Sequence, residues 1–199
     1  MTAARSFSTD ALIRALPAVT LFIYLVMTEP PAALLLFFGA VATHEWGHLV
    51  AFRLIGVKAP PLSLAGVGAR LSPTVPLLPK EEFRVAISGP LANLLFAFLA
   101  LRFGRGDFFL LFAVIHLLFG VCNLLPFGLT DGERVLNILI SFVFPRHAKA
   151  VSCAISTLFL ALFFYFSLFL RFLTGNGLCG VFFSLFFLLE EKNPPANVF

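Results

Sequence analysis

The chain is short of charge: 12% of its 199 residues are Asp, Glu, Lys or Arg. A water-soluble domain carries about a quarter. Against 60% hydrophobic residues, that shortage excludes an ordinary globular protein. Cysteine is also scarce. Cys122, Cys153 and Cys179 are widely spaced in or beside apolar segments, with no CxxC pair. They read as free thiols, which excludes a thiolate zinc site or a redox pair. The net charge is +4, but the basic residues are scattered and form no stripe. A nucleic-acid partner is therefore excluded. There is no internal repeat, and no compositional bias beyond 27 Phe. No cleavable leader is evident, because the first apolar segment carries Arg14 and Pro17 without a small-residue cleavage site, so it reads as a retained helix.

What the chain does have is apolar length. Six segments stand out, at about 11–28, 32–55, 83–101, 108–125, 150–173 and 177–190. Most approach the roughly 20 residues that cross a hydrocarbon core. A shorter stretch, 132–144, follows a polar break and reads as a half-helix or interfacial helix. Between 56 and 80 stand Pro60, Pro61, Pro73, Pro76 and Pro79, which forbid a helix, and an alternating run from Leu62 to Leu71 reads as a small hairpin or a plain loop. The expected fold is an all-α membrane protein of six transmembrane helices, with a small membrane-associated β-hairpin or loop after the second. Residues 1–192 form one polytopic domain, and 193–199 a short tail.

Lys and Arg set the orientation. With a cytoplasmic N-terminus, eleven of the 14 basic residues fall inside. Only Arg102, Arg105 and Arg171 fall outside. This asymmetry puts both termini in the cytoplasm of a multi-pass protein, read here as one of a bacterial cell membrane.

Within the second segment, residues 44–48 read His-Glu-Trp-Gly-His. Histidines at i and i+4 share a helix face and can grip one metal ion, with the intervening glutamate as general base. Ionisable groups at membrane depth are expensive and call for a function. Catalytic zinc takes three protein ligands and leaves one position open. His44 and His48 supply two. The candidates for the third are Glu29, Glu81, Glu82, Asp107, Asp131, Glu133 and His116. Glu29 and Asp107 belong to the external side, whereas His44 is within about 14 Å of the cytoplasmic end of its helix. Asp131 lies at compatible depth. It follows the break Asn123-Leu124-Leu125-Pro126-Phe127-Gly128, and unwound backbone at membrane depth is tolerated where it lines a cavity. The competing reading of Asp131 is an N-cap for helix 132–144. His116, seven residues before Asn123, reads as a packed or hydrogen-bonded histidine, and Trp46 and Gly47 as packing residues.

Three motifs together resemble the site-2 protease family of intramembrane zinc metalloproteases. They are HEWGH at 44–48, Ser88-Gly89-Pro90-Leu91-Ala92-Asn93, and Asn123-Leu124-Leu125-Pro126 through Asp131-Gly132. The resemblance covers about residues 35–140. It implies His44, His48 and Asp131 as ligands of one Zn2+ per chain, and Glu45 as the catalytic base. It places Asn93, Asn123 and Pro126 in the substrate-binding region, with a structural hydrogen bond to a neighbouring helix as the other reading of Asn93, and likens the Pro-rich stretch to the family's membrane-associated hairpin. The six-segment plan with inside termini looks like the sporulation branch, without its CBS domain. The implied partners are a membrane-associated protein substrate, such as a pro-sigma or anti-sigma factor, a membrane-protein inhibitor or regulator, and the lipid bilayer. Two other classes stay open: a membrane metal-ion transporter and a catalytically inactive membrane chaperone.

Overall fold

The computed structural model describes residues 23, 26–27, 30–59, 63–65, 68–70, 76–126 and 130–174. Five helices are described in full: α1 (Pro31–Leu54), α2 (Pro79–Phe103), α3 (Asp107–Leu124), α4 (Asp131–Val143) and α5 (Ala148–Thr174). Four are long and apolar enough to cross a membrane: 31–54, 79–103, 107–124 and 148–169. The structure thus describes four spans where six were expected. Apart from residues 23, 26 and 27, the expected segments at 11–28 and 177–190 lie outside the described residues. α4 is the short helix foreseen at 132–144, and its 13 residues are too few to span.

Proline sets two of the helix starts. α1 opens with Pro31 after an extended Pro30, and α2 opens with Pro79, four residues earlier than its apolar segment suggests. Proline's fixed φ and missing N–H suit the first helical position, so the last of the five prolines begins a helix rather than preventing one. Glu81 completes this start by accepting the Leu78 backbone N–H at 3.0 Å. Between α1 and α2, β1 (Ser63–Ala65) and β2 (Gly68–Arg70) pair antiparallel, with Ser63 opposite Arg70 and Ala65 opposite Gly68. Three residues a side make no independently stable sheet. Residues 60–62, 66–67 and 71–75 of this stretch lie outside the described residues.

α2 is the hub. It packs against α1, α3 and α4, and α5 packs on α4. Small side chains make these interfaces: Ala40, Ala51, Ala86, Ala97 and Ala113 are buried, while Leu35, Phe98, Leu118 and Phe166 are each more than half exposed. That inversion is what a bilayer selects, since helices associate in lipid by close packing of small residues. Gly47 shows how close: a Cβ there would lie 2.6 Å from the Ser88 carbonyl oxygen and 2.9 Å from Ala92 Cβ. Gly47 is thus the packing residue expected. Trp46 is not; it is 56% exposed, because one helical step turns it away from α2. Below the site, Phe52 and Ala51 of α1 meet Val85 of α2, with Ile55, Val57 and Leu77 around them.

Candidate metal centre

The α-helical pitch puts His44 and His48 one above the other on the face of α1 that meets α2, with ring centroids 4.8 Å apart. Both are buried. Asp131, the first residue of α4, enters from 83 and 87 positions further along the chain. Its Oδ2 lies 2.9 Å from His44 Nε2 and 3.0 Å from His48 Nε2, and the two Nε2 atoms are 3.2 Å apart. The three residues form a group able to hold a metal ion. Thr130, not Asp131, occupies the N-cap position of α4.

The donor set fits a metal on two counts. His48 Nδ1 lies 2.8 Å from the Val85 carbonyl oxygen, which can only accept, so Nδ1 carries the proton and Nε2 presents a lone pair. That lone pair faces the Asp131 carboxylate at 3.0 Å, an arrangement that calls for a cation between them. The donor triangle also has the right size. Ligands at about 2.0–2.2 Å from a tetrahedral zinc stand about 3.3 Å from one another, so the observed triangle need open by only a few tenths of an ångström. Space for the rings comes from Gly89. A Cβ there would lie 2.6 Å from His48 Cε1 and 2.9 Å from His44 Nε2.

The ligands are braced from behind, as metal ligands commonly are. Asn93 is fully buried on α2, with Nδ2 3.4 Å from His44 Nδ1 and Oδ1 3.2 Å from His116 Nδ1. Phe119 of α3 sets its ring edge-on to His44, with centroids 5.3 Å apart. Arg134, one turn along α4, places Nη1 3.6 Å from Asp131 Oδ1 and Nε 4.0 Å from Glu82 Oε1. Asp131 is thus held by one oxygen and free to ligate with the other. Burial pushes its carboxyl up, but the adjoining His44 and His48 outweigh this and hold it well below the usual carboxylate range. Glu45 is half-buried beside the cluster, its electrostatic neighbours being His48, His44 and Asp131.

The structure therefore brings together His44, Glu45, His48 and Asp131. Asn93 touches the cluster from behind. Asn123 is half-buried near the end of α3 and donates Nδ2 to the Phe119 carbonyl of its own helix at 2.9 Å. Pro126 is buried at the break that follows. Of the other ligand candidates, Glu81 caps α2, Glu82 faces Arg134, and Asp107 opens α3. His116 is the hydrogen-bonded, packed histidine expected. Three contributors escaped the sequence reading: the Val85 carbonyl, Gly89 as the floor of the site, and Arg134, counted there only as a topology charge. A backbone carbonyl has no sequence signal. Gly89 and Arg134 had one, in a glycine opposite the histidine face and a cation one turn after a candidate ligand.

No family model matches the sequence, and no curated protein matches it. Among solved structures, the chain is similar to the site-2 protease from Methanocaldococcus jannaschii, with a TM-score of 0.63 and 21% identity over 91% of this chain and 87% of that one. The four spans, the short α4 and the buried His-His-Asp cluster are thus set in the fold of a solved site-2 protease.

Proposed function

We propose that the chain is an intramembrane zinc metalloprotease that hydrolyses peptide bonds in membrane-associated or transmembrane proteins. The observation that carries this reading is the convergence of His44 Nε2, His48 Nε2 and Asp131 Oδ2, with Glu45 beside them, in helices that suit a bilayer. Likeness to the fold of the Methanocaldococcus jannaschii site-2 protease supports it.

His44, His48 and Asp131 would hold one Zn2+, which when bound supplies Lewis acidity to the attacking water and the scissile carbonyl. Val85 and Asn93 keep the two imidazoles turned toward it. Glu45 accepts a proton from the attacking water as the C–O bond forms, and returns it to the amide nitrogen as the C–N bond breaks. The half-buried Glu45 lies beside the cluster, where this proton transfer requires it. The Lys and Arg asymmetry supports a site nearer the cytoplasmic face and both termini inside. The resemblance supports the finer assignments: Asn123 and Pro126 on the substrate path, a pro-sigma or anti-sigma factor as substrate, and a membrane-protein regulator.

The test is co-expression and purified cleavage assays with candidate single-pass substrates, comparing the wild type with Glu45→Gln. Glu45→Gln should retain zinc and lose cleavage. Cleavage that survives in Glu45→Gln, or its absence from a zinc-loaded wild type across such substrates, would refute the assignment. A wild type that carries zinc into liposomes without cleaving would instead be a transporter.

A further inference from the structure

Behind His44 lies a polar chain that the proposed reaction does not use. Asn93 spans from His44 Nδ1 to His116 Nδ1, at 3.4 Å and 3.2 Å, joining α1, α2 and α3. His116 is 1% exposed. It stacks on Phe112 and Phe96, at centroid distances of 4.2 Å and 5.8 Å, and among the described residues its Nε2 has no hydrogen-bond partner. Packing does not account for it. A third aromatic ring would fill the same slot without burying an unsatisfied nitrogen.

The direction of the hydrogen bonds supplies an account. With Asn93 Nδ2 set toward His44 and Oδ1 toward His116, the groups pair only if His116 Nδ1–H donates to Asn93 Oδ1, Asn93 Nδ2–H donates to His44 Nδ1, and the His44 proton sits on Nε2, facing Asp131 Oδ2. This is self-consistent only while His44 Nε2 keeps its proton. A neutral imidazole has one N–H, so a His44 that offers Nε2 to a metal must carry its proton on Nδ1. Asn93 then has to present Oδ1 to His44 instead of Nδ2. The two ends of a carboxamide are almost the same size, so the group can turn over in place. Nδ2 then points at His116 Nδ1, which must become an acceptor, with the proton on Nε2. We propose that Asn93 and His116 are positioning residues that form a tautomer relay: metal entering at His44 turns the Asn93 amide, and each histidine exchanges one ring proton with water, His44 giving up Nε2–H and taking Nδ1–H, His116 giving up Nδ1–H and taking Nε2–H. This inference rests on the metal centre proposed above. It explains why the second member is a histidine, the aromatic side chain able to donate or accept at the same atom.

The relay is testable on the unmodified protein. Full-length chain labelled with 15N-histidine in detergent micelles gives each ring's tautomer from two-bond 15N–1H correlations, without metal and with one equivalent of Zn2+. His116 is expected as Nδ1–H without zinc and Nε2–H with it. One unchanged tautomer in both states overturns the relay while leaving the metal centre standing. Unmoved His44 and His48 signals overturn the metal centre, and the relay with it.

Zinc affinity, measured by chelator competition, gives a second arm. Asn93→Leu should weaken binding by about 10- to 100-fold. His116→Phe keeps the aromatic stack and should weaken it about three- to tenfold. Asn93→Asp should stay within about threefold of wild type, because a carboxylate accepts from Nδ1–H without turning over. In that background His116→Phe should change affinity by less than about twofold. A purely structural His116 would cost the same in both backgrounds, and that result overturns the proposal.

Discussion

Gly89→Ala probes the metal centre from a residue that ligates nothing. The added Cβ would stand 2.6 Å from His48 Cε1 and 2.9 Å from His44 Nε2, where ordinary van der Waals contact begins at 3.4 Å. Each ring would have to retreat by half an ångström or more. Neither can do so freely. His48 is tied to the Val85 carbonyl at 2.8 Å, and His44 is backed by Asn93 and by the edge of Phe119. Overpacking of this kind costs about 1–3 kcal/mol. The cost falls more heavily on the metal-bound state, because a bound metal would also fix both rings from the front, whereas without it each ring can give by stretching its tie to Val85 or Asn93. At about 1.4 kcal/mol per decade, zinc affinity should fall roughly five- to 150-fold. The metal-free fold should hold, since alanine is favoured over glycine in a helix interior by about 1 kcal/mol, which offsets part of the clash. Chelator competition measures the affinity, and thermal unfolding in EDTA measures the metal-free fold. Gly39→Ala is the control; it lies one turn before Thr43, and a Cβ there meets nothing within 4 Å. Zinc binding by Gly89→Ala within twofold of Gly39→Ala would show that the two rings do not close on a metal against α2.

Asp131→Ala should abolish stoichiometric zinc, measured by atomic absorption; full zinc content would mean a different third ligand. Arg134→Met frees Asp131 Oδ1 at a group whose side chain is 23% exposed, so it should cost no more than about 1 kcal/mol, or fivefold in zinc affinity. Arg134→Lys should recover part of that, and a loss above 100-fold would make Arg134 more than a brace. Removing zinc from a protein held at about 100 times its Kd should lower stability by about 2.7 kcal/mol, seen as a drop in Tm on chelation. No drop would mean that metal does not bind the folded state preferentially.

Much of the scaffold was legible because membrane helices are read from length and apolarity. The segments at 32–55, 83–101, 108–125 and 150–173 fall within residues of α1, α2, α3 and α5. The site was half legible. His44 and His48 are visible as partners because one helix carries both, at a spacing set by local geometry. Asp131 could be proposed by depth and by the resemblance of its motif but not by spacing, since its approach depends on how α4 folds back under α3. There Gly132 lets the chain pass with a would-be Cβ 2.7 Å from the Leu125 carbonyl oxygen. What stayed invisible belongs to crossings between helices. Which carbonyl meets His48, which residue floors the site, and that Asn93 is walled in behind His44 all depend on the rotation of α2 about its axis. Hydropathy says little about that rotation, because α2 is apolar on nearly every side.

The distance along the chain between the ligands has a consequence for biosynthesis. His44 and Asp131 are 87 positions apart, with α2 and α3 between them. At about 5–20 residues per second, a ribosome needs roughly 4–17 s to pass from one to the other. During that interval the nascent chain offers a two-histidine half-site with its glutamate already in place, and no third ligand. Two intervening spans must also insert before α4 can bring Asp131 back beneath α1. A chain under construction therefore passes through the insertion machinery without a complete metal centre. Maturation becomes a single late event, set by the order in which the helices leave the ribosome.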